Sequence, residues 1–454
     1  MKRAGQLAVA VVALAVLAAA CNSGWVGPHA GASQSGFNPD ETTIGVGNLS
    51  TLTPKFTGIV NGPTEWSPVV DHDFVYIAGG SQIQAFATAS SGDVAPSRTY
   101  TFLDSAAPPA PQLGSAPTVA DGWVYGVTYG SSGPNSLRAF DTTDASACAG
   151  TTCTAEWRAP VRSEVASPTV VNGVLYVAEV HDFPSAGGSL QAYSAKGTSG
   201  CSGTPRVCTP LWTAPIRSWA SPVVVDNRVY VTSQDDGHIA VFDAAGTSGC
   251  SGVPKVCAPL WTTPATLGSS FALVVDGRLV EYEGTQSNRR VVVFDAAGST
   301  GCSGVPVVCS PLWTANVTAA GVYAEPAAAY GNVYVATQSG VAVFDLAGSS
   351  GCSGVPVVCS PLRTIKVDPT TTTAPTSNLA SVSIANGVGY LGTDTGELIA
   401  FDAKNTTGCT GAPLICPRLW HMTFSTKIGT TAAIANGTLY FGTGDTKLRA
   451  FTPS

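Results

Sequence analysis

Short runs of alternating apolar and polar residues recur along the chain, separated by residues that favour tight turns. Residues 220–263 form one such unit, in which four runs follow one another: 221–225, 228–232, 238–242 and 259–262. Asp226-Asn227 and Asp235-Asp236-Gly237 separate the first three runs and are typical of β-hairpin turns. Because alternation with a period of two predicts half-buried strands, the unit predicts four short antiparallel β-strands. No helical period of comparable length follows residue 21.

This four-strand unit recurs along the whole chain. An aromatic residue ends the third predicted strand of each unit: Phe86, Phe140, Tyr193, Phe242, Phe294, Phe344, Phe401 and Phe451. These residues follow one another at intervals of 49 to 57 residues. Four short strands repeated at about 50 residues are typical of propeller blades. The fold class is therefore all-β, and the repeat predicts an eight-bladed β-propeller of four-stranded blades.

The two ends of the chain complement each other. The eighth unit stops at Ser454 without a fourth strand, and Leu52–Thr57 resembles the fourth-strand pattern of Pro210–Thr213. We therefore expect the N-terminal strand to complete the C-terminal blade and to close a propeller domain of residues 39–454. Closure leaves only short, protected strand edges.

Twelve of the 13 cysteines lie in closely spaced pairs. The pairs are Cys148 with Cys153, Cys201 with Cys208, Cys250 with Cys257, Cys302 with Cys309, Cys352 with Cys359, and Cys409 with Cys416. Zinc sites favour shorter spacings and a second ligand pair, and the chain has no Cys-x-x-Cys redox motif. We therefore predict six structural disulfides in an exported protein, each clipping a loop between the third and fourth strands of one blade.

The N-terminal residues explain the remaining cysteine. A basic pair precedes an apolar stretch from Leu7 to Leu17, and small residues lead into Cys21. The pattern predicts a signal peptide over residues 1–20 and resembles a bacterial lipobox, although the usual leucine lies one position further from the cysteine. An acylated Cys21 would hold the protein on a membrane; a secreted protein with a chance cysteine is the alternative. Residues 21–38 are rich in Gly, Ser, Ala and Pro and predict a flexible tether.

Composition narrows the classes of function and fold. Only 11% of the residues are charged and the net charge is −7, so we expect no nucleic-acid partner. A hydrophobic fraction of 44% with 50 glycines and 31 prolines excludes a helical bundle and a disordered chain. The outer strands carry tryptophans at one repeated position: Trp157, Trp212, Trp261, Trp313 and Trp420. Their regular placement predicts packing between blades rather than carbohydrate stacking.

The segment Phe242-Asp243-Ala244, a glycine soon after it and a closing tryptophan resemble the blade motif of pyrroloquinoline-quinone (PQQ)-type propellers. That superfamily includes quinoprotein dehydrogenases and BamB-like lipoproteins, and the resemblance covers residues 37–454. It implies an eight-bladed propeller. Quinoprotein dehydrogenases of this fold hold PQQ with an adjacent Cys-Cys pair and calcium. No two cysteines are adjacent here, so we predict no cofactor and no metal site, with PQQ and calcium as the alternative.

Loops that depart from the repeat mark one face as a candidate binding site. In such propellers the fourth-to-first and second-to-third strand loops surround one end of the central channel. The fourth-to-first loops carry Glu65, Trp66, Arg162, Glu164, Arg217, Trp219, Tyr323 and Glu325. The longest second-to-third loops should crown this face with His181, Asp182, Arg289 and Arg290. We predict a funnel for a polar ligand or an extended peptide, with a solvated rim as the alternative and the disulfide loops on the opposite face.

The sequence contains no recognisable catalytic constellation. A Gly-x-Ser-x-Gly elbow, a phosphate-binding loop and an EF-hand are all missing, so we predict no catalytic residues and expect a binding protein rather than an enzyme. We predict a monomeric lipoprotein scaffold on the outer face of the bacterial cytoplasmic membrane or at the cell surface, serving envelope protein assembly. The alternatives are a PQQ-dependent dehydrogenase with a non-standard site and a carbohydrate-binding or carbohydrate-active propeller that uses Glu65, Glu164 or Glu325.

Overall fold

The computed structural model describes residues 24–102, 112–129, 135–162, 164–180, 187–266, 271–285, 288–317, 324–337, 340–366 and 380–454. Within these residues the strands form eight hydrogen-bonded sheets, numbered 1 to 8 here in chain order. The first strand of each sheet lies beside the first strands of its two neighbours, and this ring closes between Val69–Asp71 and Ala433–Ala435. The predicted all-β, β-propeller fold is therefore confirmed.

Each sheet is built on four antiparallel main strands. From the channel outward these are Val69–Asp71, Phe74–Gly79, Gln82–Ala87 and Arg98–Thr101 (sheet 1); Thr118–Ala120, Trp123–Tyr129, Asn135–Asp141 and Trp157–Val161 (sheet 2); Thr169–Val171, Val174–Val180, Gly188–Ser194 and Trp212–Ala214 (sheet 3); Val223–Val225, Arg228–Thr232, Ile239–Asp243 and Trp261–Thr262 (sheet 4); Phe271–Val275, Arg278–Thr285, Asn288–Asp295 and Trp313–Val317 (sheet 5); Ala327–Ala329, Asn332–Thr337, Gly340–Asp345 and Arg363–Lys366 (sheet 6); Ser383–Ala385, Val388–Gly392, Glu397–Asp402 and Trp420–Thr423 (sheet 7); and Ala433–Ala435, Thr438–Thr443, Lys447–Pro453 and Leu52–Ile59 (sheet 8).

Tight turns join the first and second strands because the sequence supplies residues that tolerate a positive φ. Asn172 and Gly173 have φ values of 51° and 76°, and Asn436 and Gly437 have values of 53° and 69°. Two consecutive positive φ angles are the signature of the hairpin turns that Asn-Gly favours. The turn predicted at Asp226-Asn227 is of the same kind, with φ values of 49° and 58°, and is therefore confirmed.

The two chain ends pair as predicted. Leu52–Ile59 runs antiparallel to Lys447–Pro453, with Leu52 opposite Pro453 and Ile59 opposite Lys447. The N-terminal strand is thus the fourth strand of sheet 8. The closing prediction is confirmed.

All six predicted disulfides are formed, but their loops lie on neighbouring sheets. A strand between the third and fourth main strands of one unit joins the outer strand of the preceding sheet in parallel. The pairs are Gly92–Val94 on Leu52–Ile59, Thr152–Cys153 on Arg98–Thr101, Arg206–Cys208 on Trp157–Val161, Val256–Cys257 on Trp212–Ala214, Val308–Cys309 on Trp261–Thr262, Val358–Cys359 on Trp313–Val317, and Leu414–Cys416 on Arg363–Lys366. We call these the covering strands. Each clip lies between the third and fourth strands of its own unit, as predicted, and its covering strand also pairs with the preceding sheet, whose outer edge offers unpaired backbone groups.

Several short elements complete the described chain. The disulfide hairpins begin with Cys148–Ala149, Cys201–Ser202, Cys250–Ser251, Cys302–Ser303 and Cys352–Ser353. Three further strands, Phe37–Asn38, Gln112–Leu113 and Glu164–Val165, join sheets 7, 2 and 3. The 3-10 helices are Pro28–Ala30, Val46–Thr51 and Ala145–Ala147. No helix among the residues with described positions is long and apolar enough to span a membrane.

The outer-strand tryptophans pack against the following unit of the chain. The Trp157 indole N–H donates to the Ala195 carbonyl at 2.8 Å, and the Trp313 indole N–H donates to that of Leu346 at 3.0 Å. A glycine of the following unit lies against each indole: Gly197 on Trp157, Gly246 on Trp212, Gly298 on Trp261, and Gly348 on Trp313. A Cβ at these positions would overlap the ring, which is why a glycine follows the Phe-Asp-Ala segment. The prediction of packing between blades is confirmed for these four tryptophans.

Residues 24–38, here called the inner belt, run around the channel side of the sheets. In six sheets, one residue of the first strand donates its N–H to a belt carbonyl at 2.7 to 3.0 Å: Val70 to Trp25, Val119 to Val26, Val224 to Ala32, Val274 to Ser33, Ala328 to Ser35, and Ile384 to Gly36. In sheet 8 the Asn38 side chain donates to the equivalent residue, Ile434, at its carbonyl. The belt therefore pairs backbone groups along the inner edges of the sheets.

The inner belt differs from the flexible tether expected over residues 21–38. Trp25 is completely buried, and His29 and Asn38 are each 3% exposed. Small residues suit a flexible linker in water, but here they let the belt backbone approach strand edges that need partners. Cys21 and the rest of the first 23 residues lie outside the described chain.

We predict that Trp25→Ala destabilises the protein by about 3–5 kcal/mol, because it removes a fully buried indole from the core between sheets 1 and 8. Val26→Ala is the matched control, since Val26 is 37% exposed and its truncation should change stability by less than about 0.5 kcal/mol. Denaturant unfolding with the disulfides intact measures both. Equal stability of the two variants would show that the belt is not packed in place.

Candidate functional site

A funnel opens at the channel end where the fourth-to-first strand loops lie. Its volume is about 510 Å³, and Pro28 and His29 of the inner belt contribute to its lining. A separate cavity of about 300 Å³, lined by Val26, Gly27 and the turn residues Asp71 and His72, lies beyond the belt. The belt therefore lies between the funnel and the opposite end of the channel.

One repeated position, at or just before the start of the first strand of each sheet (here called the inner strand), lines the funnel. It lies three residues before the belt-binding residue, and its members, here called the funnel ring, are Ser67, Ala116, Ser167, Ser221, Phe271, Glu325, Ser381 and Thr431. Five of these residues carry a hydroxyl and one is alanine. Phe271 and Glu325, on the adjacent sheets 5 and 6, replace the small residue with an aromatic ring and a carboxylate. These two positions break the symmetry of the funnel.

Hydroxyls of the funnel ring connect neighbouring sheets. Ser67 Oγ accepts a hydrogen bond from the Thr431 N–H at 2.9 Å, and Ser381 Oγ accepts one from the Glu325 N–H at 2.9 Å. A hydroxyl that accepts in this way still has a hydrogen to donate. The ring therefore holds the sheets together and offers donors to the funnel.

His29 fixes the inner belt beneath Glu325. Its Nδ1 lies 2.6 Å from the Gln34 carbonyl oxygen, and its Nε2 lies 3.0 Å from that of Val382. A neutral imidazole carries only one N–H, so both contacts are hydrogen bonds only when the ring is protonated. Glu325 Oε2 lies 3.6 Å from Nδ1. The Glu325 side chain is 33% exposed, so its carboxylate also remains accessible from the funnel.

The structure brings four of the predicted funnel residues together. Glu65, Trp66, Trp219 and Glu325 all line the same cavity. The Trp66 indole N–H donates to the Leu113 carbonyl at 3.2 Å, which orients that ring. Trp219 is 51% exposed and so presents a free aromatic surface. Tyr323, His181 and Asp182 lie outside the described residues, as does the side chain of Glu164.

The predicted arginines are placed elsewhere. Arg162 and Arg217 are not among the lining residues of the funnel. The Arg217 guanidinium is 2.5 Å from Asp235 Oδ1, and this ion pair directs it toward the neighbouring second-to-third strand loop. Arg289 is 1% exposed and lies over the Tyr282 ring at 5.0 Å, while Arg290 pairs with Glu283. The expectation that Arg289 crowns the funnel face is wrong, because the aromatic ring and burial in sheet 5 hold it inside the protein.

The described residues do not fit a quinone held by calcium and a vicinal disulfide. The twelve paired cysteines are five or seven positions apart in sequence and form local loops. In the described part of the chain, no group of three or more His, Cys, Asp or Glu side chains is placed to hold a metal ion. The described side chains therefore supply neither a vicinal disulfide nor a group of calcium ligands.

Sequence reasoning missed the hydroxyl ring and His29. A signal for the ring was present, because Ser67, Ser167 and Ser221 each precede a proline at the start of an inner strand. His29 had no such signal, since it lies in a segment without periodicity. Its partner Val382 is 353 positions away in the chain.

Comparison with known proteins supports the predicted resemblance. The family described as outer membrane protein assembly factor BamB matches residues 208–409. No curated protein is significantly similar to the chain. BamB from Moraxella catarrhalis has a similar fold, with a TM-score of 0.56 and 13% sequence identity over 88% of this chain and 97% of that one.

Two further solved structures share the fold. The computationally designed Ika8 protein has a TM-score of 0.57 and 10% identity over 88% of this chain and 100% of its own. Sqt1 from Saccharomyces cerevisiae has a TM-score of 0.55 and 9% identity over 90% of this chain and 98% of its own. At these identities the likeness concerns the fold alone. The predicted resemblance is confirmed: this chain is a β-propeller similar to the PQQ-like, BamB-type family.

Proposed function

We propose that this protein is an exported, lipid-anchored scaffold that binds an extended segment of a partner protein in its funnel without catalysing a reaction. Each of the eight sheets then represents one blade of an eight-bladed ring. The similarity to a family described as an assembly factor supports a role in envelope protein assembly. The residues that line the funnel support the choice of ligand.

The charge of the funnel lining carries the proposal. Glu65 and Glu325 contribute two carboxylates, and Trp66 and Trp219 contribute two indoles. In the described lining the only basic side chain is His29, which is buried and already contacts Glu325. Carboxylates together with tryptophan faces favour a cationic side chain through charge-assisted hydrogen bonds and cation–π contact. The bound segment therefore carries a lysine or an arginine.

The rigid surroundings of the funnel favour binding as well. Its walls are inner strands whose edges are bonded to the inner belt, and hydroxyls of the funnel ring connect those strands laterally. A preformed site loses little conformational entropy when a ligand enters. This arrangement suits a platform that holds its partner without changing shape.

A carbohydrate ligand is the second candidate. Two tryptophans, two carboxylates and a ring of hydroxyls line one cavity, and a sugar could stack on Trp219 while its hydroxyls contact Glu65 or Glu325. Saturable binding of a neutral oligosaccharide that is lost on Trp219→Ala would favour this candidate over a cationic peptide.

The inner belt constrains how a lipid anchor would orient the propeller. Trp25 pairs antiparallel with Val70, so Gly24 lies toward Asp71, at the channel end opposite the funnel. Cys21 precedes Gly24 by three residues, which span at most about 11 Å. Acylation of Cys21 would therefore bring the first-to-second strand turns close to the membrane and leave the funnel facing away from it.

We predict that Glu325→Gln lowers the amount of partner captured from solubilised envelope about tenfold or more, because a charge-assisted hydrogen bond contributes about 1.5–3 kcal/mol. Glu156→Gln is the matched control, since Glu156 lies outside the funnel lining and its side chain is 32% exposed, against 33% for Glu325. Quantitative mass spectrometry of the captured proteins measures both. A partner retained equally by the two variants would exclude the funnel as its binding site.

We predict that a cysteine introduced at His72 reacts several-fold more slowly with a membrane-impermeant maleimide on intact membranes than after detergent extraction. His72 is 71% exposed and lies in the turn beside Asp71, where the anchor would hold it against lipid. A cysteine at Trp219, on the funnel face, should react equally in both states. Equal rates at His72, or release of the unmodified chain without detergent, would contradict the anchored orientation.

A further inference from the structure

One sheet keeps an open outer edge. Covering strands lie on the outer strands of sheets 1 to 6 and of sheet 8. Among the described residues, Trp420–Thr423, the outer strand of sheet 7, pairs only with Glu397–Asp402. A covering strand there would have to come from the connection between the third and fourth strands of sheet 8. The described residues contain no such connection, because the fourth strand of sheet 8, Leu52–Ile59, precedes its third strand, Lys447–Pro453, in the chain.

The open edge leaves a tryptophan without its usual cover. The four tryptophans at the equivalent position of sheets 2 to 5 are 0 to 4% exposed, whereas Trp420 is only half-buried. Each of those four also contacts a glycine of the following unit, as Trp313 contacts Gly348. Trp420 therefore offers an indole surface that this chain covers at every equivalent tryptophan.

Among the described residues, the open edge also leaves one backbone N–H without a partner strand. In sheets 3, 4 and 5 the residue after the tryptophan donates its N–H to a covering hairpin at 3.0 Å: Thr213 to Lys255, Thr262 to Val307, and Thr314 to Val357. His421 takes this position in sheet 7, and its side chain is exposed. Its N–H thus points away from the sheet toward the place where a covering strand would lie.

We propose that the edge Trp420–Thr423 binds an extended strand of a partner protein in parallel. The strand accepts a hydrogen bond from the His421 N–H and lays a glycine over the Trp420 indole. Its chemistry follows from the chain's own covering segment at residues 347–360, which has no charged side chain and places a glycine-rich turn before a valine-containing strand. A second copy of this chain is not the occupant, because its disulfide hairpins already cover its own sheets. This edge lies on the rim and is distinct from the funnel.

Addition of a free strand to an exposed edge gains affinity from main-chain hydrogen bonds and specificity from side-chain pockets. The probe is a synthetic peptide of residues 345–362 with its Cys352–Cys359 disulfide closed. It is the segment that covers Trp313–Val317 in the intact protein. With purified full-length protein, the peptide should slow backbone hydrogen exchange in residues 419–424 and bury the Trp420 fluorophore.

His421→Pro should weaken binding of this peptide about tenfold or more, because proline lacks the N–H that the strand must receive. Proline is tolerated at an edge position whose N–H faces solvent, so the fold should persist, which the melting temperature checks. His421→Ala is the matched control: it retains the N–H and should bind as the native protein does. Trp420→Ala should weaken binding independently and serves if the proline variant is unstable.

Two results would overturn the proposal. Absence of protection of residues 419–424 in the native protein, or equal protection in His421→Pro and His421→Ala, would show that no strand adds through the His421 N–H. A concentration-dependent dimer of the native protein that is lost in His421→Pro would assign the edge to a second copy. Loss of funnel binding in Glu325→Gln leaves this test unaffected, so the two proposals fail separately.

Discussion

Pairing of backbone groups at strand edges is the constraint on which this architecture depends. A ring of separate sheets has an inner and an outer edge on every sheet, and each edge presents N–H and C=O groups that need partners. The inner belt meets this need at one repeated residue of the first strands. The covering strands meet it on the outside. Closure of sheet 8 by Leu52–Ile59 meets it at the junction of the chain ends.

The disulfides stabilise the hairpins that pair with the outer edges of the sheets. Covering strands of two or three residues are too short to hold a stable hairpin by themselves. A cross-link over about eight residues contributes roughly 2–2.5 kcal/mol in the chain-entropy description. In this protein the link stabilises the hairpin that covers the preceding sheet, as the Cys250–Cys257 hairpin covers Trp212–Ala214. Each disulfide therefore stabilises the contact between two units rather than one unit alone.

Local patterns were sufficient to predict those parts of the fold that local interactions determine. Alternation placed the strands of residues 220–263, and short spacing identified the disulfides. Two features depended on distant partners and were missed. The inner belt has no periodicity of its own, and its partners are inner strands spread over the whole chain. The covering strands were not predicted, because the sequence shows that a loop is closed by a disulfide but does not show which sheet edge that loop pairs with.

The candidate site could be predicted only where loops depart from the repeat. Trp219 and Glu325 were identified in this way and line the funnel, whereas Arg217 turned to a carboxylate on a neighbouring loop. A residue type and a loop position do not fix the direction of a long side chain, since a nearby opposite charge decides it.

The funnel and the open edge are the two surfaces where the repeat of the ring is broken, and for this reason they are the candidates for specific binding. A repeat that places serine at the same position of successive sheets offers a ligand many equivalent contacts and no preferred orientation. Phe271 and Glu325 remove that equivalence, and the single passage of the inner belt, fixed through His29, removes it again. On the rim the covering strands are equivalent until sheet 7, where the chain ends interrupt the series. A ligand can bind in a single orientation only where equivalent positions of the sheets carry different groups. In this ring such differences occur where the repeat is broken.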